Sequence, residues 1–550
     1  MPQAAGRRPF MSFEIRDRDL LARIGRFKTK SGVFETPALL PVINPNVQPI
    51  SPKDMGKEFD CEALITNAYI VKKHFQNEAV EKGIHDFLDF KRVVMTDSGA
   101  YQILIYGKEV KLSNREIIQY QEQIDTDIAT ILDVPTGWRV SQQYARHTVA
   151  ETLKRARELA KVKSRDDIAW VGPVQGGNHF DLVAESARKM GKLPFQIHAL
   201  GSPTPVMEQY LFDTLVNMIM TAKMNLPLER PLHLFGAGHP FMFALAIALG
   251  CDLFDSAAYA IYAREDRYMT ETGTARLREL EYFPCSCLAC TKTSPEKVIA
   301  LSKTERQAFL ARHNLYACFS EIKRIKQAII EGRLWEHLGM RAHGHPALLR
   351  AVKELAKYKH YLEENSPVTK KSGLFFFDSI DLSRPEILRH KKRLSERYSP
   401  PKTAKLLLLL PQTRTKPFHK SWEHQEALKM VQRKLGAKTS RVHVCTYAAP
   451  FGVVPAELDE VYPLSQHETA TPLDTETIDY VAEQVANYIA EKHYKRVVLV
   501  ENDETWQKKV TSACRQICRE NNIPLAVVRA NYPWSKSVLN KLGATVQALL

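Results

Sequence analysis

Short apolar runs punctuate the first half of the chain at recurring intervals. They are ALLPVI (38–43), EALITN (62–67), RVVMTD (92–97), ATILDV (129–134), WVGPVQ (170–175), FQIHAL (195–200), LHLFGA (232–237) and CDLFDS (251–256). Each run is continuous rather than alternating, the pattern of a strand buried on both faces. Between them, apolar positions recur with helical spacing at 115–124, 142–161, 180–190, 205–221 and 240–249. Alternating units of this kind predict a parallel sheet, and about eight of them predict closure into a (β/α)8 barrel. An open doubly wound sheet is the competing arrangement.

The polar residues that end these runs change the picture. Asn67, Asp97, Asp133, Gln175, Gly201, Gly236 with Gly238, and Asp255 all stand at the carboxyl ends of the predicted strands. In a barrel of this class the βα loops converge on that face and build the active site there. One strand-end aspartate, Asp255 for instance, is equally well read as a helix cap. Several acid/base groups, an amide and close-approach glycines at equivalent ends point instead to one shared site.

Beyond 320 the pattern becomes helical and charged, as in EIKRIKQAIIEGRLWEHL, and NSPVTKKSG (365–373) reads as a linker. A second α/β region follows, with strands predicted at 403–411, 440–447, 495–501 and 523–530 and helices at 421–435, 475–492 and 505–521. The organisation predicted is α/β: a catalytic (β/α)8 TIM-like barrel over 12–345 with a zinc-binding insertion around 281–320, a helical segment and linker over 346–373, and a smaller C-terminal α/β region over 374–550, in one or two subdomains. Cys514 and Cys518, four apart on a helix with no further ligand nearby, read as packing residues.

Composition narrows the partners. Lys and Arg number 77 against 62 Asp and Glu, for a net charge of +15 and a pI near 9.2. Such a surplus suits a polyanion, nucleic acid before anionic membrane. No stretch approaches the ~20 apolar residues that span a bilayer, and MPQAAGRRPFMSFEI lacks the apolar core of a secretory signal. Nine cysteines, three of them clustered, suit a metal site in a reducing compartment better than a disulfide framework. A cytoplasmic location, with no membrane partner, is expected.

The cluster is Cys285, Cys287 and Cys290, followed by His313 in FLARHNLYACF. Three thiolates and an imidazole suit tetrahedral Zn2+, and four protein ligands leave no open position, so the site reads as structural. Cys318 competes with His313 for the fourth place. Asp97 and Asp255, on different strands of the same mouth, suit double displacement at a sugar carbon. One carboxylate attacks the anomeric carbon, and the other moves the proton. If a second base rather than water resolves the ester, the reaction is base exchange. With a polynucleotide substrate, the target base must leave its stack to reach the mouth.

Taken together, MTDSGAYQ (95–102), LDVPT (132–136), PVQGG (173–177), FGAGHP (235–240), FDSAAYA (254–260) and the PCSC-x2-C cluster with its distant His resemble the tRNA-guanine transglycosylases, over about 19–313. The resemblance implies a (β/α)8 barrel with a zinc insertion and pentosyltransferase activity. It implies that Asp255 is the nucleophile at ribose C1′ and Asp97 the general acid/base or a reader of the incoming base, with Ser98 in the same loop. Asp133 and Gln175 are then hydrogen-bonding partners of the heterocycle. Gly176, Gly177 and Gly201 are backbone beside it, and Tyr101 is an aromatic cover. Cys285, Cys287, Cys290 and His313 take the place of the zinc ligands. Ser202 stands where related enzymes often carry glycine.

The added C-terminal α/β region and the wording FDSAAYAIYAREDRYMT resemble the archaeal branch. That branch exchanges guanine 15 in the tRNA D-arm for 7-cyano-7-deazaguanine, the precursor of archaeosine. The same resemblance implies tRNA and a free deazaguanine base as substrates and a homodimer. No C-terminal PUA module is visible, so a separate PUA-type RNA-binding protein is expected to supply it, or the basic surface to replace it. Lys416, Pro417, Phe418, Ser421 and His424 resemble the signature of the paralogous archaeosine synthase, but Gln412 and Phe418 replace its Cys and Tyr. A synthase acting through this region, and a non-catalytic tRNA-binding subunit, are therefore the alternatives to base exchange. The intact Asp97 and Asp255 favour exchange.

Overall fold

A computed structural model of the protein describes residues 11–100, 113–529 and 532–550. The chain forms two compact units, Met1–Leu355 and Ala356–Leu550. The first opens on an antiparallel sheet of β1 (Ser12–Asp19), β2 (Ala22–Lys28) and β3 (Val33–Thr36), in that order. Sequence patterning does not predict it. Residues SFEIRDRD of β1 alternate exposed and half-buried positions, so no apolar run marks the strand. Its partners carry the reason for its place. Phe27 and Phe34 share one buried cluster with Ala63, Val93, Ile128, Ala169 and Ile197, which lie at the starts of barrel strands, so this sheet floors the barrel.

Eight parallel strands close that barrel, as predicted: β4 (Ala38–Ile43), β5 (Ala63–Asn67), β6 (Val93–Asp97), β7 (Ile128–Thr130), β8 (Ala169–Val174), β9 (Ile197–Leu200), β10 (Leu232–Leu234) and β11 (Leu253–Ser256). Closure is made by β11 on β4, with Leu253 opposite Ala38 and Ser256 opposite Pro41. The inward set includes Leu40, Ala63, Ile65, Val93, Met95, Ile128, Ala169, Val171, Ile197, Ala199 and Leu253. Side chains alternate along a strand. Stepping two residues at a time from this set therefore reaches Asn67, Asp97, Gln175, Gly201 and Asp255, which form the top layer inside the mouth.

Helices surround the strands. Gln142–Val162 is capped by Ser141, which accepts from the Tyr144 N–H, and it buries Ala145, Val149, Leu153, Ala156 and Leu159 at helical spacing. The helix predicted over 205–221 is two, Thr204–Glu208 and Phe212–Lys223, because Tyr210 between them takes a left-handed φ of 56°. After β11 and the helix Ala258–Arg264 comes a hairpin of β12 (Arg267–Met269) and β13 (Thr274–Arg276), then the 29-residue helix Lys303–Glu331. Ser302 and Glu305 start that helix with a reciprocal capping box.

The second unit contains β14 (Leu374–Phe376), β15 (Leu406–Pro411), β16 (Val442–Ala448), β17 (Gly452–Pro455), β18 (His467–Thr469), β19 (Arg496–Val500) and β20 (Leu525–Val528). Strands β14 and β18 pair in parallel as a small sheet. The larger sheet runs β17-β16-β15-β19-β20, with only β17 antiparallel. One face is covered by helices Trp422–Leu435 and Lys536–Leu549, the other by Thr475–Glu491 and Lys509–Glu520. Cys514 and Cys518 are buried in the second of these layers. Among the described residues, no helix is long and apolar enough to cross a membrane.

Candidate active site and metal centre

Three carboxylates meet at the mouth of the barrel. Asp97 ends β6 beside Asn67 at the end of β5, and the Asn67 Nδ2 donates to Asp97 Oδ2 at 2.8 Å. The Gly99 N–H donates to the same oxygen at 3.2 Å. Burial below the rim, and then the charges of Asp133 and Asp255, push the Asp97 carboxyl up to about 7. Asp133 is pushed up to about 6, by burial against the opposing effect of the Gln175 amide. Ser98, beside Asp97, is fully buried and its Oγ has no hydrogen-bond partner among the described residues.

Asp255, on β11, keeps 15 % of its side chain exposed. Its Oδ1 accepts the Gly236 N–H at 3.1 Å and lies 2.9 Å from His233 Nε2, off the line of a hydrogen bond. Position 236 requires glycine on two counts. Its φ is 71°, and a Cβ there would come within 2.4 Å of Thr204 Oγ1. The backbone N–H that anchors the carboxylate thus depends on a residue without a side chain. Both of these contacts fall on Oδ1.

A second constellation fixes an amide. Gln175 Oε1 accepts from Thr136 N at 3.0 Å, Thr136 Oγ1 at 3.1 Å and Ser202 Oγ at 3.1 Å. With its oxygen so engaged, Nε2 is the donating end, and it reaches Asp133 Oδ2 at 2.5 Å. Gly176 follows with its N–H on Thr136 Oγ1 at 3.0 Å, and Gly177 continues the turn with φ 59°. A Cβ at Gly201 would stand 2.2 Å from Gln175 Nε2, so the amide occupies the space a side chain would take. Ser202 sits at φ 62°, a conformation glycine adopts freely, and its hydroxyl gains the contact to Gln175.

All the strand-end residues singled out from the sequence therefore lie around one mouth, several of them just beyond the strands themselves, as Gly201 is after β9 and Gly236 and Gly238 are after β10. Strand β7 stops at Thr130, so Asp133 is carried by the loop beyond it, and Gln175 lies one residue past β8. Tyr101 lies outside the described residues. Sequence reasoning missed Thr136, which organises Gln175, and His233, which lies under Asp255. The signal for His233 was present: a histidine in the middle of the apolar run LHLFGA.

Cys285, Cys287, Cys290 and His313 present ligand atoms all within 4.8 Å of one another. His313 Nε2 donates to the Met269 carbonyl at 2.8 Å, which turns Nδ1 toward the sulfurs, 3.4 Å from Cys290 Sγ and 3.7 Å from Cys287 Sγ. Tyr268 stacks on the ring with centroids 3.5 Å apart. Cys318 turns away, contacts the Gly238 carbonyl at 3.4 Å and stands outside the cluster. Three sulfurs and one oriented imidazole fit a metal ion. The neighbouring Asn314 ties this centre to the mouth. It accepts from Met269 N at 2.9 Å and donates to the carbonyls of Tyr259 and Arg267, both at 3.2 Å.

Comparison with known proteins bears on the same residues. The sequence profile of a family described as queuine tRNA-ribosyltransferase matches residues 18–347, and one described as a domain of unknown function (DUF5591) matches 387–546. The chain is 44 % identical to a tRNA-guanine(15) transglycosylase of Methanocaldococcus jannaschii over 479 residues, 85 % of this chain and 70 % of that protein. It is 41 % identical to a tRNA-guanine(15) transglycosylase of Saccharolobus solfataricus over 496 residues, 89 % of this chain and 96 % of that protein. With one from Pyrococcus furiosus it shares 45 % identity over 385 residues, 70 % and 65 % of the two chains.

Proposed function

Because the chain belongs to the queuine tRNA-ribosyltransferase family, we propose that it exchanges guanine 15 of tRNA for 7-cyano-7-deazaguanine through a covalent ester on Asp255. The observation that carries this reading is the mouth itself: a carboxylate anchored by one oxygen, beside a second carboxyl whose proton affinity is raised to about 7.

Asp255 Oδ2 attacks ribose C1′ as the N9–C1′ bond of guanine breaks, and the leaving base takes the Asp97 proton. The incoming base returns a proton from its N9 to Asp97, attacks C1′ and releases Asp255. Bonds and protons balance over the cycle, so no energy source is consumed. A carboxyl that titrates near neutral pH suits both halves. Gln175 offers an N–H and Asp133 an acceptor oxygen, which suit the carbonyl and N–H groups along a guanine edge. Ser98, whose hydroxyl has no partner among the described residues, offers a further contact. Gly176, Gly177 and Gly201 keep the backbone close, and Tyr101 is proposed as the cover.

The metal centre fits zinc. Cys285, Cys287, Cys290 and His313 would hold it, and a four-ligand ion would supply structural cross-linking rather than chemistry. We assign the second unit no catalysis. Ser421 caps helix Trp422–Leu435 by accepting from His424 N at 3.2 Å, and His424 Nε2 donates to the Pro411 carbonyl at 2.9 Å. Two side chains of the synthase-like signature, Ser421 and His424, thus serve the backbone, which disfavours the synthase alternative. A homodimer, a separate PUA-type RNA-binding protein and a cytoplasmic location complete the proposal.

The covalent step is tested directly. Mixing the protein with tRNA in the absence of free base and quenching with denaturant should leave a protein–RNA adduct on a denaturing gel. Asp255→Asn should abolish it, whereas an adduct surviving in that variant removes the nucleophile from Asp255.

A further inference from the structure

His233 is fully buried on β10, and neither ring nitrogen has a hydrogen-bond partner among the described residues. A buried polar atom without a partner is uncommon and calls for a cause. The register supplies one. His233 pairs with Leu253, two residues below Asp255, and its Nε2 reaches up to 2.9 Å from Asp255 Oδ1. The edge of its ring packs against Phe235 at a centroid distance of 4.7 Å, which limits its rotation.

We propose that His233 is a positioning residue for the nucleophile: its Nε2–H and the Gly236 N–H together hold Oδ1 of Asp255, so that Oδ2 meets ribose C1′. The proposal rests on the base-exchange reading of the site. A carboxylate only accepts, so the ring proton facing it belongs on Nε2, which donates. When Asp255 becomes an ester its charge vanishes, and the Nε2–H then loses only a weakened contact.

The short approach without hydrogen-bond alignment has a consequence of its own. A small turn of the Asp255 carboxylate completes the bond, and that turn accompanies the approach of Oδ2 to substrate. Hydrogen bonds at catalytic groups commonly tighten only in the complex. The interaction therefore belongs to the reacting state more than to the resting fold, and its loss should appear in kcat rather than in tRNA binding.

The test compares His233→Leu, which removes the donor, with His233→Gln, which keeps an N–H. Exchange of labelled guanine into tRNA is measured for both and for the unaltered protein. The expected result is a kcat loss of about 100-fold in the leucine variant, a KM for tRNA within about twofold of the unaltered value, and substantial recovery of kcat with glutamine. Unchanged kcat in the leucine variant, a loss confined to KM, or a glutamine variant no better than leucine each overturns the proposal. If leucine does not fold, His233→Met serves as the donor-free variant under the same criteria. Failure of the unaltered protein to exchange guanine instead overturns the base-exchange reading, so the two failures are distinct.

Discussion

Asp97 is the residue whose environment makes the sharpest demand. In an unfolded chain its carboxyl titrates near 3.8, whereas in the folded protein burial and two neighbouring carboxylates push it up to about 7. Between these values the folded state holds more protons than the unfolded state, so stability falls as pH rises from about 4 to about 7. Asp97→Asn removes this penalty. The variant should melt about 2–4 °C higher than the parent at pH 8, with little difference at pH 4; equal melting at both values would contradict the buried-charge account. With Asp97 as the proposed proton donor to guanine, the exchange rate of the unaltered protein should fall as pH rises through about 7, where Asp97 ionises. Gly236→Ala should destabilise by about 1–2 kcal/mol, from a left-handed φ and a clash with Thr204. It should also slow exchange by displacing the N–H that anchors Asp255. Wild-type kcat in a folded alanine variant would contradict that anchoring role. At this scale the sequence was readable where chemistry followed strand phase: Asn67, Asp97, Gln175 and Asp255 each end an apolar run. Thr136 and Ser202 were not readable, because their value lies in holding Gln175 across 39 and 27 residues of sequence.

Among the elements, the parallel strands announced themselves as short runs of consecutive apolar residues, buried on both faces. The sheet β1–β3 did not, because β1 alternates exposed and half-buried residues, and Arg23, Gly25 and Arg26 break up the apolar pattern of β2. The break at Tyr210 was equally silent, since a left-handed tyrosine leaves no compositional mark. The metal loop was legible as a spacing of cysteines with His313 as the expected fourth member, and the fold brings His313 rather than Cys318 to the three sulfurs. Asn314 and the Met269 carbonyl give this element its purpose: they brace the segment after β11 against helix Lys303–Glu331. A strong chelator, or Cys287→Ser, should therefore lower the melting temperature by about 5–10 °C, while single-turnover exchange at 25 °C stays within about threefold in protein that remains folded. Immediate loss of exchange in a folded, metal-free protein would give the metal a part in the chemistry.

For the protein as a whole, the net charge of +15 and the tRNA substrate belong together. Binding through phosphates releases counterions, so affinity for tRNA should drop by about 10³ between 50 and 200 mM salt if six or more phosphates are contacted. A flat salt response would remove the electrostatic account of binding. The second unit was legible as α/β, yet its small sheet of β14 and β18 escaped notice, because strands of three residues carry almost no pattern. Its residues 387–546 match a domain of unknown function, and its larger sheet carries helices on both faces. All of this depends on base exchange at Asp255, and the direct test is incubation with labelled guanine and unmodified tRNA. Label should enter the tRNA with the unaltered protein and fail to enter with Asp255→Ala, and incorporation that persists in a folded Asp255→Ala protein would contradict the mechanism.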